Sequence, residues 1–327
     1  MIKTSAPGNL FLGGEHRIVY GGSAIITSVD MRTYCSLEER KDDRIVVFSK
    51  GYEKIDEKIE DTASRQFNID DFKKDEMNLT RSLMKRYMDS FGRFRSGFEM
   101  QVETEIPKTC KGLSRSTSFL CSAYKALSLF SNFPVPEEKY FFRILPLQRE
   151  AHGGAASGVE IISSVFGGFH KVRSDGSRES LGKPEFNVVI GDTGVESKTY
   201  ETVPYVRSGW EKSRESYERT FKRIDDIIEE EISAIRNKDI VKLGGLMNEN
   251  HEILARGLGV SHPKLNELVD ACRKAGAYGA KLTGGGKGGA MFALVDEKNQ
   301  NKVAKAIVDA GGKSYITKIG VEGLRLK

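Results

Sequence analysis

Short runs in which β-branched and polar residues alternate characterise the first hundred positions of the chain. Such alternation is typical of strands with one buried face, and it predicts strands over residues 23–29, 33–37, 44–48 and 97–102. The first half of the chain is therefore predicted to be rich in strands.

Helical spacing begins further along. Apolar residues recur at steps of three and four over residues 116–130, and this spacing predicts a helix with one buried face. Its apolar positions are Phe119, Ala123, Ala126, Leu127 and Phe130. A second helix is predicted over 137–151, a strand over 161–172, and a turn or domain junction over the polar residues 173–184.

Strands and helices are mixed in the second half. A buried strand is predicted over 186–190, followed by a long helix with apolar positions Tyr217, Phe221, Ile224, Ile228, Ile232 and Ile235. Further helices are predicted over 240–255, 263–275 and 302–310, and further strands over 277–282, 290–295 and 314–319. This order predicts an α+β sandwich.

Composition narrows the range of partners. The chain has 327 residues, 39% of them hydrophobic and 30% charged, with a formal net charge of +5, which is typical of a globular protein and excludes a disordered one. The charges of opposite sign are interleaved, and no basic stripe alternates with aromatic residues, so an anionic small molecule is a better candidate partner than nucleic acid. No apolar run approaches the length of a membrane span.

The four cysteines indicate a cellular setting. They are scattered, without the spacing of a zinc site or of a secreted disulfide framework. The first twelve residues lack the charged start and apolar run of a signal peptide. We therefore expect a reducing, cytoplasmic environment and no membrane association.

The segment Gly112-Leu113-Ser114-Arg115-Ser116-Thr117-Ser118 carries the strongest functional signal. A tight turn leads directly into the helix predicted over 116–130, with Ser114 as a candidate N-cap. Free backbone N–H groups at a helix start bind anions such as phosphate. The alternative from these residues alone is an ordinary capped helix of the core.

Another glycine-rich segment lies at residues 281–289. It contains GxGxxG at Gly284, Gly286 and Gly289, but the residues that follow predict a strand, whereas a dinucleotide-binding fingerprint opens a helix. No Lys-Ser or Lys-Thr pair follows, so it is no Walker A loop either. Close packing of backbone against a neighbour or a substrate is the remaining interpretation.

Together with a segment near the start of the chain, these sequences resemble the three motifs of the GHMP kinases, and among them the mevalonate kinases. In chain order, the first segment is residues 5–22, the second is residues 112–118 and the third is residues 281–289. The segments that carry the resemblance are Ser5 to Gly14 with Gly14-Glu15-His16 and Val19-Tyr20-Gly21, the turn at Gly112, Ser157-Gly158-Val159-Glu160, Phe166-Gly167-Gly168, Gly191-Asp192-Thr193-Gly194 and Ala280-Lys281-Leu282-Thr283-Gly284. The resemblance implies an N-terminal domain like ribosomal-protein-S5 domain 2 over residues 1–180 and a ferredoxin-like C-terminal domain over 181–327, with a homodimer as a possible assembly.

The same resemblance implies an ATP-dependent kinase with Mg²⁺. The ATP phosphates are expected on the turn, and Ser116 is expected to ligate the metal; the residues implied for the nucleotide are Lys111, Gly112, Leu113, Ser114, Arg115, Ser116 and Thr117. The residues implied for the acceptor are Glu15, His16, Arg115, Thr283, Gly284 and Lys287.

Two departures from the family pattern concern catalysis. Relatives carry a lysine where this chain has Asn9, and an aspartate where it has Glu160. In the family these two residues form a pair beside the acceptor hydroxyl, with the carboxylate as base. The resemblance thus implies Glu160 and Asn9 as the catalytic pair, although one member is neutral; the alternative is that Glu160 is a surface-facing or paired carboxylate.

Added cations form the other departure. Arg115 replaces a serine of the second motif, Lys287 interrupts the third, and Lys108 and Lys111 flank the turn. Arginine engages phosphate with two hydrogen bonds, so these cations favour an acceptor that is already phosphorylated, although both lysines could equally be solvated. The sequence prediction is a kinase for the 5-hydroxyl of mevalonate 3-phosphate; the alternatives are a kinase for mevalonate itself and a catalytically degenerate nucleotide-binding homologue.

Overall fold

The structure of the protein is a computed structural model that describes residues 1–151, 156–197 and 199–326. Twelve strands lie within these residues. They are β1 (Ile2–Gly13), β2 (Ala24–Glu39), β3 (Arg44–Ser49), β4 (Ile55–Lys58), β5 (Phe98–Thr104), β6 (Phe169–Val172), β7 (Arg178–Gly182), β8 (Phe186–Asp192), β9 (Gly279–Leu282), β10 (Ala290–Leu294), β11 (Lys313–Ile319) and β12 (Arg325–Leu326).

Helices occupy most of the remaining chain. They are α1 (Ile59–Ser64), α2 (Asp71–Lys74), α3 (Asn78–Phe91), α4 (Arg115–Phe130), α5 (Tyr140–Ala151), α6 (Val159–Phe166), α7 (Thr199–Lys212), α8 (Arg214–Asn237), α9 (Ile240–Glu252), α10 (Pro263–Lys274) and α11 (Gln300–Asp309). Short 3-10 turns cover Arg17–Tyr20 and Glu137–Lys139, and a π-helical turn covers Ile253–Gly257.

The strands of the described residues form one mixed sheet. Its main path runs β4-β3-β5-β2-β11-β8-β10-β9, and β1 pairs with both β2 and β12 beside that path. The pair β3 and β5 is parallel. Strands β2 and β11 meet through a single residue pair, Ile319 with Val29, so the two halves of the sheet join over a narrow contact.

Among the described residues three hydrophobic clusters cover the sheet; the two larger ones lie mainly in one half each, and the third packs Val159 and Ile162 of α6 against β1, β2 and β6. The first packs α3 to α6 against β2, β3 and β5 and includes Leu120, Tyr124 and Leu127 of α4. The second packs α8 to α11 against β8, β9 and β10 and includes Ile224 and Ile228. The apolar faces predicted for the two long helices are the faces that are buried, which confirms the α+β architecture.

One predicted strand is wrong. Residues 161–172 begin inside helix α6, and only Phe169–Val172 is a strand. Gly158 before the helix and Gly167 after it adopt positive φ angles of 77° and 63°, which only glycine adopts at little cost. A short apolar run does not distinguish a buried helix from a buried strand, and these two glycines are the signal that decides.

Other differences between the predicted and observed structure concern where strands begin and end. The strands predicted over 23–29 and 33–37 are one strand, β2, and the polar stretch 173–184 contains β7, which pairs with β6. Strand β1 was not predicted because nearly all of its residues are buried and no alternation marks it. No helix of the described residues has the length and apolarity to cross a membrane.

Candidate active site

Close contacts of main chain bring the three glycine-bearing segments together. The Asn9 amide donates to the Leu113 carbonyl oxygen at 3.2 Å, which joins β1 to the turn before α4. A Cβ atom added to Gly112 would lie 3.1 Å from the Thr283 carbonyl oxygen, and one added to Gly284 would lie 3.4 Å from the Gly112 Cα. Both glycines also have positive φ angles, 102° at Gly112 and 76° at Gly284, which glycine adopts at little cost.

The turn before α4 is shaped by two residues with positive φ, Gly112 at 102° and Ser114 at 54°. Ser114 occupies the N-cap position, as predicted, but its side chain does not cap the helix. The Ser114 hydroxyl instead donates to Asn9 Oδ1 at 2.8 Å. The first N–H groups of α4 are therefore not satisfied by this cap, which leaves them available to an anion.

Asn9 is fully buried and joins the turn to helix α6. Its Nδ2 donates to the Glu160 main-chain oxygen at 3.2 Å and to the Ser164 hydroxyl at 3.3 Å. The structure thus brings Asn9 and Glu160 together as the resemblance implied. The contact involves the main chain of Glu160, which leaves its carboxylate independent of Asn9.

Glu160 lies half-buried in the first turn of α6. Burial raises the pKa of its carboxyl, against the opposing effect of its own backbone N–H. No ion pair to this carboxylate is present within residues 1–151, 156–197 and 199–326. A carboxylate with a raised pKa and no cationic partner is suited to accept a proton near neutral pH.

The cations beside the turn gather on one aromatic ring. Lys108 Nζ lies 4.8 Å and Arg115 Cζ 5.6 Å from the centroid of Tyr52, and Lys108 also pairs with Glu76 at 3.0 Å. Lys111 is exposed. Arg115 therefore starts α4 with its guanidinium directed to the Tyr52 ring.

The third segment, which contains Lys287, lies against His16 of the first segment. Lys287 has a φ of 55°, and its Nζ lies 3.4 Å from the ring centroid of Tyr205. His16 Nε2 donates to the Gly285 carbonyl oxygen at 3.1 Å. Burial lowers the pKa of His16 to about 4, so this imidazole is neutral at physiological pH.

Glu15 and Thr283 tie the first segment to the third. The Phe11 amide donates to the Thr283 hydroxyl at 3.0 Å. Glu15 pairs with Lys281, and both side chains are almost completely buried. Burial raises the pKa of Glu15, and the Lys281 ammonium opposes that rise.

Comparison with known proteins identifies the family of the chain. Models of the GHMP kinase N-terminal domain and of the GHMP kinase C-terminal region match residues 78–168 and 232–313. The mevalonate kinase of Thermococcus sibiricus is 35% identical over 336 residues, which cover 100% of this chain and 98% of that protein. The mevalonate kinase of Thermococcus onnurineus is 34% identical with the same coverage. The chain belongs to the GHMP kinases.

Solved structures agree with this assignment at the level of the fold. The mevalonate kinase of Methanococcus jannaschii superposes with a TM-score of 0.84 at 24% identity, covering 97% of this chain and 98% of that one. The L. major mevalonate kinase in complex with R-mevalonate gives a TM-score of 0.82 at 22% identity, covering 97% and 95%. Membership of this family makes the protein a phosphotransferase that acts on an alcohol, and the family uses ATP as phosphate donor.

Two buried polar side chains beside the site were not predicted from the sequence. Gln148 of α5 donates from Nε2 to the Thr117 hydroxyl at 2.5 Å, and its Oε1 is buried without a partner in the described structure. Glu231 of α8 is fully buried. Its signal was present in the sequence, because an acid three residues after Ile228 interrupts the apolar face of the long helix.

Proposed function

We propose that this GHMP kinase transfers the γ-phosphoryl group of ATP to the 5-hydroxyl of mevalonate. One observation carries the proposal: the Asn9 side chain contacts both Ser114 of the turn and the main chain of Glu160. The turn that is predicted to bind the ATP phosphates and Glu160, the predicted base, are thus separated by one amide group, that of Asn9. The relatives named mevalonate kinase, which match over the whole chain, favour mevalonate over its 3-phosphate.

ATP would bind with its phosphates over residues 111–117, where the helix start supplies N–H donors. Mg²⁺ would neutralise the developing charge, with the half-buried Ser116 hydroxyl as one ligand. In the described part of the chain no cluster of three or more acidic, histidine or cysteine side chains could hold a metal alone. That fits Mg²⁺, which commonly takes one or two protein ligands and completes its shell with phosphate and water.

Glu160 would accept the proton of the acceptor hydroxyl as the oxygen attacks the γ-phosphorus, and the bond to the β-γ bridging oxygen breaks to release ADP. Because its pKa is raised, the carboxylate form increases as pH rises, and kcat should rise with it. Asn9 carries no charge, so it would hold the main chain of α6 in place rather than stabilise the carboxylate.

The acceptor would lie among Glu15, His16, Thr283, Gly284 and Lys287, where the first and third segments meet. A second candidate acceptor is mevalonate 3-phosphate. The observation that favours it is Lys287, a cation within a run of glycines, together with Arg115 at the helix start. Both could bind a further phosphate.

A substrate panel tests the proposal. The protein with ATP and Mg²⁺ is offered mevalonate, mevalonate 3-phosphate and mevalonate 5-phosphate separately, and the phosphate positions of each product are assigned by phosphorus NMR. We expect mevalonate to give the 5-phosphate. Turnover of the 3-phosphate alone, with a greater loss for that acceptor in Arg115→Ala, would establish the second candidate, whereas ATP binding without turnover of any acceptor would establish a degenerate kinase.

A further inference from the structure

Three ionisable side chains are buried together where the first and third segments meet helix α8. Glu231 and Lys281 are 0% exposed and Glu15 is 3% exposed. They come from α8, from β9 and from the turn after β1, so the cluster joins three elements. Two carboxyl groups thus lie near a single ammonium in the interior.

The ammonium has no donor left for Glu231. Lys281 Nζ donates to Glu15, to the Leu282 carbonyl oxygen at 2.9 Å and to the Phe11 carbonyl oxygen at 3.3 Å, and an ammonium has three protons. Both carboxyl oxygens of Glu231 are buried without a hydrogen bond within the described residues. An unpaired buried carboxylate is costly, so such a group takes up a proton instead.

The position of Glu231 connects it to the site. A Cβ atom added to Gly13 would lie 2.4 Å from Glu231 Oε2, so this carboxyl presses against the end of β1. From there, Phe11 is bonded through its carbonyl to Lys281 and through its amide to Thr283. Thr283 also contacts Gly112 of the turn before α4, residues 111–117, which we call the phosphate turn because it is the proposed site of the ATP phosphates. A displacement at Glu231 would therefore move both segments.

We propose that Glu231, in its protonated form, is a positioning residue that keeps the first and third segments in register around the acceptor, so that loss of its proton lowers phosphoryl transfer. The proposal rests on the proposed kinase function for its effect on activity. Its effect on folding does not depend on any substrate.

The groups that face Glu231 set the direction of its titration. Burial raises the pKa of Glu231 to about 8; Lys281 on β9 opposes the rise, and Glu15 after β1 adds to it. His251 on the neighbouring helix α9 lies near Lys281, but burial lowers its pKa to about 4, so it is neutral in this range. Above pH 8 the cluster therefore carries a second negative charge that no described residue pairs.

The variant Glu231→Gln tests the proposal because it is neutral at every pH. For a group of pKa about 8 the protonated fraction falls about tenfold between pH 7 and pH 9. We expect kcat of the wild type to fall by that factor relative to Glu231→Gln, with activities at pH 7 within about twofold. The matched control is Glu229→Gln, because Glu229 is 64% exposed on the same helix; it should keep the wild-type profile.

Thermal unfolding without substrate provides an independent readout. The folded pKa lies above the unfolded value, so the wild type loses stability as pH rises from about 4.5 to about 8. The Tm advantage of Glu231→Gln should therefore grow from pH 6 to pH 8 and level off above. If Glu231→Gln does not fold, Glu231→Met, which is also neutral at every pH and of similar size, replaces it. Superimposed pH profiles of the wild type and the neutral variant would overturn the proposal.

Discussion

At the scale of single residues, Asn9 is the contact on which the site depends. It replaces a residue that the resemblance gives as lysine, yet all of its hydrogen-bonding groups are engaged: Nδ2 with Glu160 and Ser164, Oδ1 with Ser114. A lysine in the same place could donate to these oxygens but could not accept from Ser114. The substitution therefore removes the positive charge of the lysine and supplies a hydrogen-bonded bridge between the turn before α4 and helix α6.

This bridge predicts the behaviour of Asn9→Ala. The change leaves the buried partners unsatisfied and should lower the free energy of unfolding by about 1–3 kcal/mol. Because Glu160 and the phosphate turn lose their common support, kcat should also fall by about 10- to 100-fold. Steady-state kinetics and urea denaturation measure the two effects.

The control for Asn9→Ala is Asn78→Ala. Asn78 donates from Nδ2 to the Asp71 carbonyl oxygen at 3.0 Å, away from the site. Its loss should reduce stability while kcat stays unchanged. Equal kcat values for both variants would show that the bridge plays no part in catalysis.

The sequence predicted which residues would meet but not through which atoms. Asn9 and Glu160 were identified as a pair because their positions match two family motifs, and they lie together. The contact was expected at the carboxylate, whereas the structure shows it at the main chain. That detail depends on Glu160 starting a helix, and the apolar run that follows Glu160 had predicted a strand.

At the scale of elements, the turn before α4 and the end of β9 are held in contact by glycine. Gly112 has a φ of 102°, and a Cβ there would lie 3.1 Å from the Thr283 oxygen. Gly112→Ala should thus combine backbone strain of about 1–3 kcal/mol with displacement of the phosphate turn. We expect a weaker affinity for ATP, measured by isothermal titration calorimetry.

Gly92→Ala separates the two effects. Gly92 has a φ of 88°, with no atom within 4 Å of an added Cβ. This variant should show the strain in its unfolding free energy and retain the ATP affinity of the wild type. If both variants bind ATP alike, the contact between the segments does not shape the nucleotide site.

Periodic elements were predicted well and buried runs poorly. The helices α4 and α8 were identified from their apolar faces, because a helix with one solvated face shows its period in the sequence. Strand β1 and helix α6 are buried on nearly all sides, so they carry no period and were missed or assigned to the wrong class. Both of these elements contribute to the site.

At the scale of the whole molecule, a buried arginine fastens the end of the described chain to its beginning. Arg32 of β2 donates to the carbonyl oxygens of Ser5 at 3.0 Å, Glu322 at 2.9 Å and Gly323 at 2.5 Å. Burial lowers its pKa to about 10, which still leaves it charged at neutral pH. These hydrogen bonds thus stabilise β1, the strand that carries Asn9, by joining it to residues near the end of the described chain.

The two halves of the molecule each supply part of the site. Glu160 on α6 belongs to the N-terminal half, the Leu113 side chain of the turn before α4 packs in the cluster of the C-terminal half, and Thr283 and Lys287 come from the C-terminal half. Because β1 contacts both the turn and Thr283, the sheet holds the residues proposed for the acceptor and those proposed for the nucleotide in one frame. The sequence indicated three motifs in order, but their convergence on β1 required the structure.

The most direct test of this account is the kinetics of Glu160→Gln with ATP and mevalonate, measured beside the affinity of the same variant for ATP. If Glu160 accepts the hydroxyl proton, kcat falls by about 10²- to 10⁴-fold, and the Kd for ATP stays within about threefold because the amide keeps the shape of the acid. A variant that retains the kcat of the wild type would contradict the assignment of the base and, with it, the catalytic site proposed for this kinase.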